Sequence, residues 1–273
     1  MLRKEAAALD GRVAVITGGG SGIGRGIAEG FAEFGARVVI WERDPETAEK
    51  TAAAVGGLAC AIDVRDAEQV DAALARTIAT VGVPTVLVNN AGGVFASPLL
   101  ETAQKGWDAL IRSNLTHVLL CTQRVAQALV QHGAPGSIIN IASIEGSRAA
   151  PGYAAYAAAK AGVINFTKTA ALELAPRGIR VNCLAPDLTL TEGIERVGSA
   201  EMLANARYMI PMGRHGHVDE MAGAAAFLAG DLSSYVTGQT LHVDGGTHAS
   251  GGWYHHPASG EYLLGPPRPE SPS

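Results

Sequence analysis

Tyr156 and Lys160 stand four residues apart in the stretch Tyr-Ala-Ala-Ala-Lys. On a helix, side chains at that separation share a face, so the ammonium can lie beside the phenol. A free phenol ionises near pH 10, too high for a useful base at neutral pH. A neighbouring cation favours the phenolate and lowers that value. Such a pair can exchange a proton with an alcohol or a carbonyl oxygen. The same spacing also occurs in ordinary surface pairs, and Ser143 tips the balance. It follows the apolar run 137–141, at the carboxyl edge where parallel α/β sheets hold their ligands. Its hydroxyl can bond the same substrate oxygen. Tyr153 is the rival phenol, but it has no lysine four residues on and reads as pocket wall.

A second constellation is the run Thr-Gly-Gly-Gly-Ser-Gly-Ile-Gly at 17–24, placed directly after the apolar stretch 13–16. Glycine inside an element costs stability, so the backbone there must be needed bare. At a strand-to-helix turn, Gly18, Gly22 and Gly24 allow a tight bend and close approach of a pyrophosphate. Ser21 and Ile23 sit between them, where helix N–H groups and dipole favour phosphate. The spacing differs from the commoner GxGxxG, but its position at the start of an α/β chain is specific. That fingerprint asks for an acid about 20 residues on to bind ribose hydroxyls, and Glu42 is there. A carboxylate accepts from a 2′-hydroxyl and repels a 2′-phosphate. Arg43 follows and would prefer the phosphate, but reads as a solvated surface charge. The expected cofactor is NAD, with NADP the second choice.

These residues need a scaffold. Short apolar runs at 13–16, 37–40, 58–62, 83–88, 137–141, 179–183 and 240–243 alternate with Ala-rich helical stretches such as 26–34, 67–80 and 154–174. Asp44 and Asp66 stand where N-caps belong. The alternation predicts an α/β fold, a doubly wound parallel sheet of seven strands with helices on both faces. Strands without polar alternation agree, because both their faces are buried. At 273 residues the chain is read as one domain, 1–247, followed by a Gly-, Pro- and His-rich tail, 248–273. Trp253 and Tyr254 in that tail predict an ordered part that covers an active site or a subunit interface.

Composition narrows the function further. A net charge of −5 gives no support to nucleic-acid binding. No apolar stretch reaches the roughly 18 residues of a membrane span, and the N-terminus has no signal-peptide core. A cytoplasmic location is the expectation. Cys60, Cys121 and Cys183 are scattered and read as free thiols. The histidines at 215, 217, 242, 248, 255 and 256 lack ligand spacing, so no metal is expected.

On these motifs the chain resembles the classical short-chain dehydrogenase/reductase family, over about residues 10–247. It matches the family's TGxxxGxG at 17–24, NNAG at 89–92, an acid at Asp63, Asn114, Ser143, and YxxxK at Tyr156 and Lys160. The resemblance implies a Rossmann-like seven-stranded sheet, usually in homotetramers or homodimers. It implies that Tyr156 is the general acid/base and that Lys160 binds the nicotinamide ribose and tunes the phenol. Ser143 would orient the substrate oxygen, and Asn114 would hold a water in a proton relay. Asn90, Ala91 and Gly92 would line the cofactor, and Asp63 and Val64 would meet the adenine. One departure stands out: after Pro186 the family usually has glycine, and here Asp187 follows, then Leu188, Thr189, Leu190 and Thr191. Thr189 and Thr191 remain expected cofactor contacts.

The implied reaction interconverts a secondary alcohol and a ketone by hydride transfer. Two other classes compete: a non-redox relative such as a dehydratase or epimerase, and a nucleotide-sensing binding protein. The intact Ser143, Tyr156 and Lys160 set argues against the sensor, and the short chain argues against the longer epimerases. The expected substrate wall comprises Val94, Phe95, Ile144, Glu145, Tyr153, Leu188 and the segment 192–211. Its mixed character fits a 3-oxoacyl thioester, a steroid or terpenoid alcohol, or a polyol, with a broad secondary alcohol or a 3-oxoacyl-type substrate ranked first.

Overall fold

The computed structural model describes residues 4–193, 208–256 and 259–264. Seven parallel strands form one sheet: β1 (Val13–Thr17), β2 (Arg37–Glu42), β3 (Leu58–Ala61), β4 (Val86–Asn89), β5 (Gly136–Ile141), β6 (Ile179–Pro186) and β7 (Thr240–Val243). Their spatial order is β3-β2-β1-β4-β5-β6-β7. Every neighbouring pair is parallel. This is the doubly wound α/β arrangement expected from the sequence. The order reverses between β1 and β4, which opens a crevice at their carboxyl ends.

Among the described residues, the α-helices are α1 (Gly22–Glu33), α2 (Pro45–Ala54), α3 (Ala67–Thr80), α4 (Gln104–Ile111), α5 (His117–Gln131), α6 (Ala154–Leu174), α7 (Val218–Ala229) and α8 (Thr247–Ser250). Side-chain alternation along β1 feeds two cores. Ala14 and Ile16 pack with Ile27 and Phe31 of α1 and with Ala225 of α7. Val13 and Val15 pack on the other face with Val70 of α3, Val125 of α5 and Ala171 of α6. Asp44 caps α2 by accepting the N–H of Glu46 at 3.0 Å, and Asp66 caps α3 through the N–H groups of Glu68 and Gln69. Cys60, Cys121 and Cys183 are free and buried. Among the described residues, no helix is long and apolar enough to cross a membrane.

Boundaries differ from expectation for local reasons. β4 starts at Val86 rather than 83, because Pro84 has no N–H for a central strand. α1 starts at Gly22 rather than 26, so the last glycines of the loop are already helical. Arg112–Thr116 forms a π-helical turn between α4 and α5, which no sequence pattern announced. The tail beyond α8 contains a small antiparallel pair, β8 (Trp253–His255) and β9 (Tyr262–Leu264). Trp253, Tyr262 and Leu264 of that pair are exposed. Pro257 and residues 265–273 of the expected tail lie outside the described residues.

One polar chain crosses the second core. Asn89 at the end of β4 donates through Nδ2 to Thr122 Oγ1 of α5 at 3.0 Å and to Asn140 Oδ1 of β5 at 2.8 Å. Asn140 Nδ2 in turn donates to Thr167 Oγ1 of α6 at 2.9 Å. All four side chains are buried. Asn140→Ala strips a partner from both neighbours, and each unsatisfied buried group costs about 1–3 kcal/mol. Urea denaturation is expected to show a loss in that range; a loss below about 0.5 kcal/mol, the scale of surface changes, would show that the chain carries no stability.

Candidate active site

The crevice at the reversal point is laced together by Thr17. Its hydroxyl accepts the N–H groups of Asn90 and Ala91 at 2.9 and 3.0 Å and donates to the Val88 carbonyl at 3.3 Å. Asn90 Nδ2 returns a bond to the Gly18 carbonyl at 3.0 Å. Gly18 has φ +63°, and a Cβ there would stand 2.8 Å from the Ala91 Cα. The two loops thus meet backbone to backbone, which only glycine permits. Ser21 precedes α1 in extended conformation, and its hydroxyl makes no capping bond. The first turn of α1, with Gly22, Ile23 and Gly24, holds no acidic residue. An open, positively polarised helix start results.

A groove of about 280 Å³ runs from this loop along the ends of β2 and β3. Gly18, Ser21, Glu42, Arg43, Asp63 and Val64 line it, and Asn90, Ala91 and Gly92 close its far side. Glu42 is held rigidly: it accepts the N–H groups of Arg43 at 2.7 Å, Asp44 at 3.2 Å and Gly20 at 3.3 Å. Asp63 is gripped by Arg65, whose Nε lies 2.9 Å from Oδ1. That bond holds the Asp63 carboxyl down at about 2. Sequence reading missed Arg65, Trp41, Ile62 and Ser113, which also face the groove. Arg65 was findable, lying two residues beyond Asp63. A bare loop, an open helix start and a fixed acid beside it fit an adenine dinucleotide.

Ser143 stands at the end of β5 and caps the 3-10 turn Ile144–Gly146 by accepting the Glu145 N–H at 3.2 Å. The Ser143 side chain works to lower the ionisation of the Tyr156 phenol. Lys160 is buried, its Nζ donating to the Ile141 carbonyl at 2.8 Å and lying 5.6 Å from the Tyr156 ring centre. The three expected side chains therefore converge. One electrostatic expectation is corrected. Burial pushes the Tyr156 phenol up rather than down, with the nearby Glu145 carboxylate adding to it. The Lys160 ammonium is directed at a strand carbonyl instead of the phenol oxygen, and burial lowers its own value to about 8.

Asn114 sits buried in the π-helical turn and is clamped to the loop after β4. Its Nδ2 donates to the Gly93 carbonyl at 2.8 Å and the Leu110 carbonyl at 3.0 Å, and its Oδ1 accepts the Gly93 N–H at 3.3 Å. Pro186 ends β6 opposite Val243. Thr191 lies beside Gly22, at the start of α1. Thr189 is buried, its hydroxyl donating to the Asp187 carbonyl at 3.1 Å. On the substrate side, Val94 and Phe95 are exposed on a loop tied to the start of α6 through Ser97 N–H and the Gly152 carbonyl at 2.8 Å. Tyr153 is half-exposed at that helix start, and Leu188 is fixed by a 3.0 Å bond from the Gly216 N–H. Ile144 is fully buried, so it belongs to the core rather than to the pocket wall. Residues 194–207 of the expected wall lie outside the described residues.

Sheet order and crevice define a Rossmann-like dinucleotide-binding α/β protein. A family model described as "Enoyl-(Acyl carrier protein) reductase" matches residues 18–248. The 3-oxoacyl-[acyl-carrier-protein] reductase of Synechocystis sp. is 41% identical over 246 residues, covering 88% of this chain and 98% of that one. A gluconate 5-dehydrogenase from Burkholderia cenocepacia, solved with NADP and tartrate, superposes with TM-score 0.84 at 41% identity, covering 90% of this chain and 98% of that one. A 7α-hydroxysteroid dehydrogenase solved with NADH and 7-oxo glycochenodeoxycholic acid gives 0.86 at 31% identity, with coverage of 90% and 98%. The chain belongs to the short-chain dehydrogenase/reductase family. It is an NAD(P)-dependent oxidoreductase acting between alcohols and ketones.

The raised phenol has a kinetic consequence. With its ionisation above the ordinary value of 10, little phenolate exists at neutral pH, and the proton-accepting form grows as pH rises. Alcohol oxidation is expected to gain kcat/KM steadily from pH 7 to about 10, while ketone reduction, which needs the protonated phenol, stays nearly flat over the same range. An oxidation profile that is flat or falling across that range would assign the proton to another group.

Proposed function

We propose that Ser143, Tyr156 and Lys160 carry out the interconversion of a secondary alcohol and its ketone, with NAD as the cofactor. The observation that carries this reading is their convergence at the carboxyl edge of the sheet, beside the Gly-rich crevice. When bound, the nicotinamide accepts or gives the hydride. The protein supplies the proton transfer and the orientation. Ser143 bonds the substrate oxygen and aims it at the phenol. Tyr156, as phenolate, takes the alcohol proton during oxidation and returns it to the carbonyl oxygen during reduction. Lys160 places a positive charge under the phenol ring, which favours the phenolate once substrate is in place. Asn114 holds the loop after β4 through Gly93, and Thr191 and the start of α1 take the pyrophosphate.

Support for NAD comes from Glu42, whose carboxylate is fixed by three backbone N–H groups where the ribose hydroxyls would lie. It would repel a 2′-phosphate. Arg43 is exposed and reaches toward Asp63 electrostatically. Relatives have been captured with NADP and with NADH, so the preference rests on this acid. We propose further that the chain assembles as a homotetramer or homodimer. The exposed apolar side chains of the β8–β9 pair are suited to such a contact.

Tyr156→Phe removes only the transferable proton. Turnover is expected to fall about 10²–10⁴-fold while NADH still binds by fluorescence titration; near-native turnover would exclude Tyr156 as the acid/base. Wild-type kcat/KM should be higher with NAD than with NADP, and Glu42→Ala should narrow the gap. A native preference for NADP would hand control of the site to Arg43.

A further inference from the structure

Glu192 was expected on the substrate wall, and the structure sets it against the cofactor helix instead. Its Oε1 accepts from Nη2 of Arg25, the fourth residue of α1. Arg25 Nε also faces Glu29 Oε1 at 3.7 Å, one turn further along that helix. Thr191 brings the chain to the same place: a Cβ at Gly22 would stand 3.4 Å from the Thr191 methyl carbon. The segment that leaves β6 thus returns to the first turn of α1. That turn has no acidic residue of its own, and Ser21 makes no capping bond. Its N–H groups and dipole favour an anion, and the Glu192 carboxylate stands beside them. The backbone at its own position, then Arg25 and the Gly22 backbone, hold that carboxyl below its ordinary value.

We propose that Glu192 is an internal competitor of the cofactor's pyrophosphate: carboxylate and diphosphate draw on the same helix start, and Arg25 restrains the carboxylate. This rests on the reading of the loop 17–24 as the pyrophosphate site. Glu29, Glu192 and Arg25 leave a net negative charge beside that site, and the guanidinium is already engaged by two acids. A diphosphate arriving there meets repulsion from Glu192 and gains no free cation. Magnitude follows from exposure. The Glu192 side chain is 55% exposed and that of Arg25 33%, so water screens the group and the effect is a few-fold one. It is also a useful one, because a dehydrogenase releases its dinucleotide after every hydride transfer, and that release often sets the turnover rate. Stability is not the purpose of the pair, since exposed ion pairs add little to it.

Isothermal titration of the full chain would use NADH and ADP-ribose, which keeps the pyrophosphate and lacks the nicotinamide. Glu192→Gln keeps shape and loses charge. It is expected to tighten both ligands about threefold to tenfold, the scale of one charge acting on two others several ångströms away across water. Arg25→Gln leaves the carboxylate unrestrained and is expected to loosen both ligands by a similar factor. The double variant is expected to bind at least as tightly as wild type, because the competitor is gone. Three results would overturn the proposal: unchanged or weaker binding by Glu192→Gln, a gain confined to NADH, or a double variant as weak as Arg25→Gln alone. The last would mean that Arg25 serves the diphosphate directly. Binding by wild type without the gain defeats this inference alone. Binding of neither ligand by wild type removes the cofactor reading of the loop, and the inference with it.

Discussion

Four buried side chains set the distance between the two halves of the site. Thr122, Asn89, Asn140 and Thr167 run as one hydrogen-bonded line from α5 through β4 and β5 to α6. Asn89 is the last residue of β4, directly before the loop that carries Asn90, Ala91 and Gly92, and Asn140 lies three residues before Ser143. The line therefore fixes the cofactor loop relative to the serine strand and to the helix bearing Tyr156 and Lys160. A hydrophobic interior alone is permissive about such offsets, because apolar contacts are non-directional. Directional bonds in a low-dielectric interior are not, and a slip of one strand would leave several of them unpaired. Precision at the crevice is inherited from polar atoms buried in the interior.

The same logic explains what could be read in the residues. Strands and helices were legible because their periodicities differ and because buried parallel strands lack polar alternation. The Gly-rich loop was legible because bare backbone has few other uses there. Tyr156, Lys160 and Ser143 followed from helix spacing and the carboxyl-edge rule. Asp44 and Asp66 were recognisable caps. What stayed hidden depends on three-dimensional neighbours. The π-helical turn at Arg112–Thr116 arises where Asn114 must turn inward to reach Gly93, and no periodicity encodes that. The roles of Thr189 and Thr191 look alike in sequence, yet one hydroxyl is spent within its own loop. The ionisation of Tyr156 was misread because the helical spacing brings Lys160 under the ring while its ammonium turns to a carbonyl.

Charge is distributed unevenly across the crevice. Beyond the ends of β2 and β3, Glu42 and Asp63 are each tied down, one by backbone N–H groups and the other by Arg65. On the opposite side, Glu145 and Asp187 share Arg148. Both ends thus present acids whose orientation is fixed before anything binds. Preorganisation of that kind lowers the ordering cost at the moment of binding. The middle, at the start of α1, holds no acidic residue of its own and keeps its positive polarity.

Lys160 is anchored to the sheet rather than merely placed near it. Its ammonium hangs from the Ile141 carbonyl, the last residue of β5, while its backbone belongs to α6. The charge beside the phenol ring is thus suspended between two elements of the fold. Any shear of β5 against α6 moves that charge by the same amount, and the potential at the phenol changes with it, steeply at such short range. Mechanical stiffness of the sheet edge thus bears on where the positive charge sits relative to the tyrosine. A substitution that loosens the packing between this strand and this helix, however remote from the crevice, acts on the chemistry as a change in acidity.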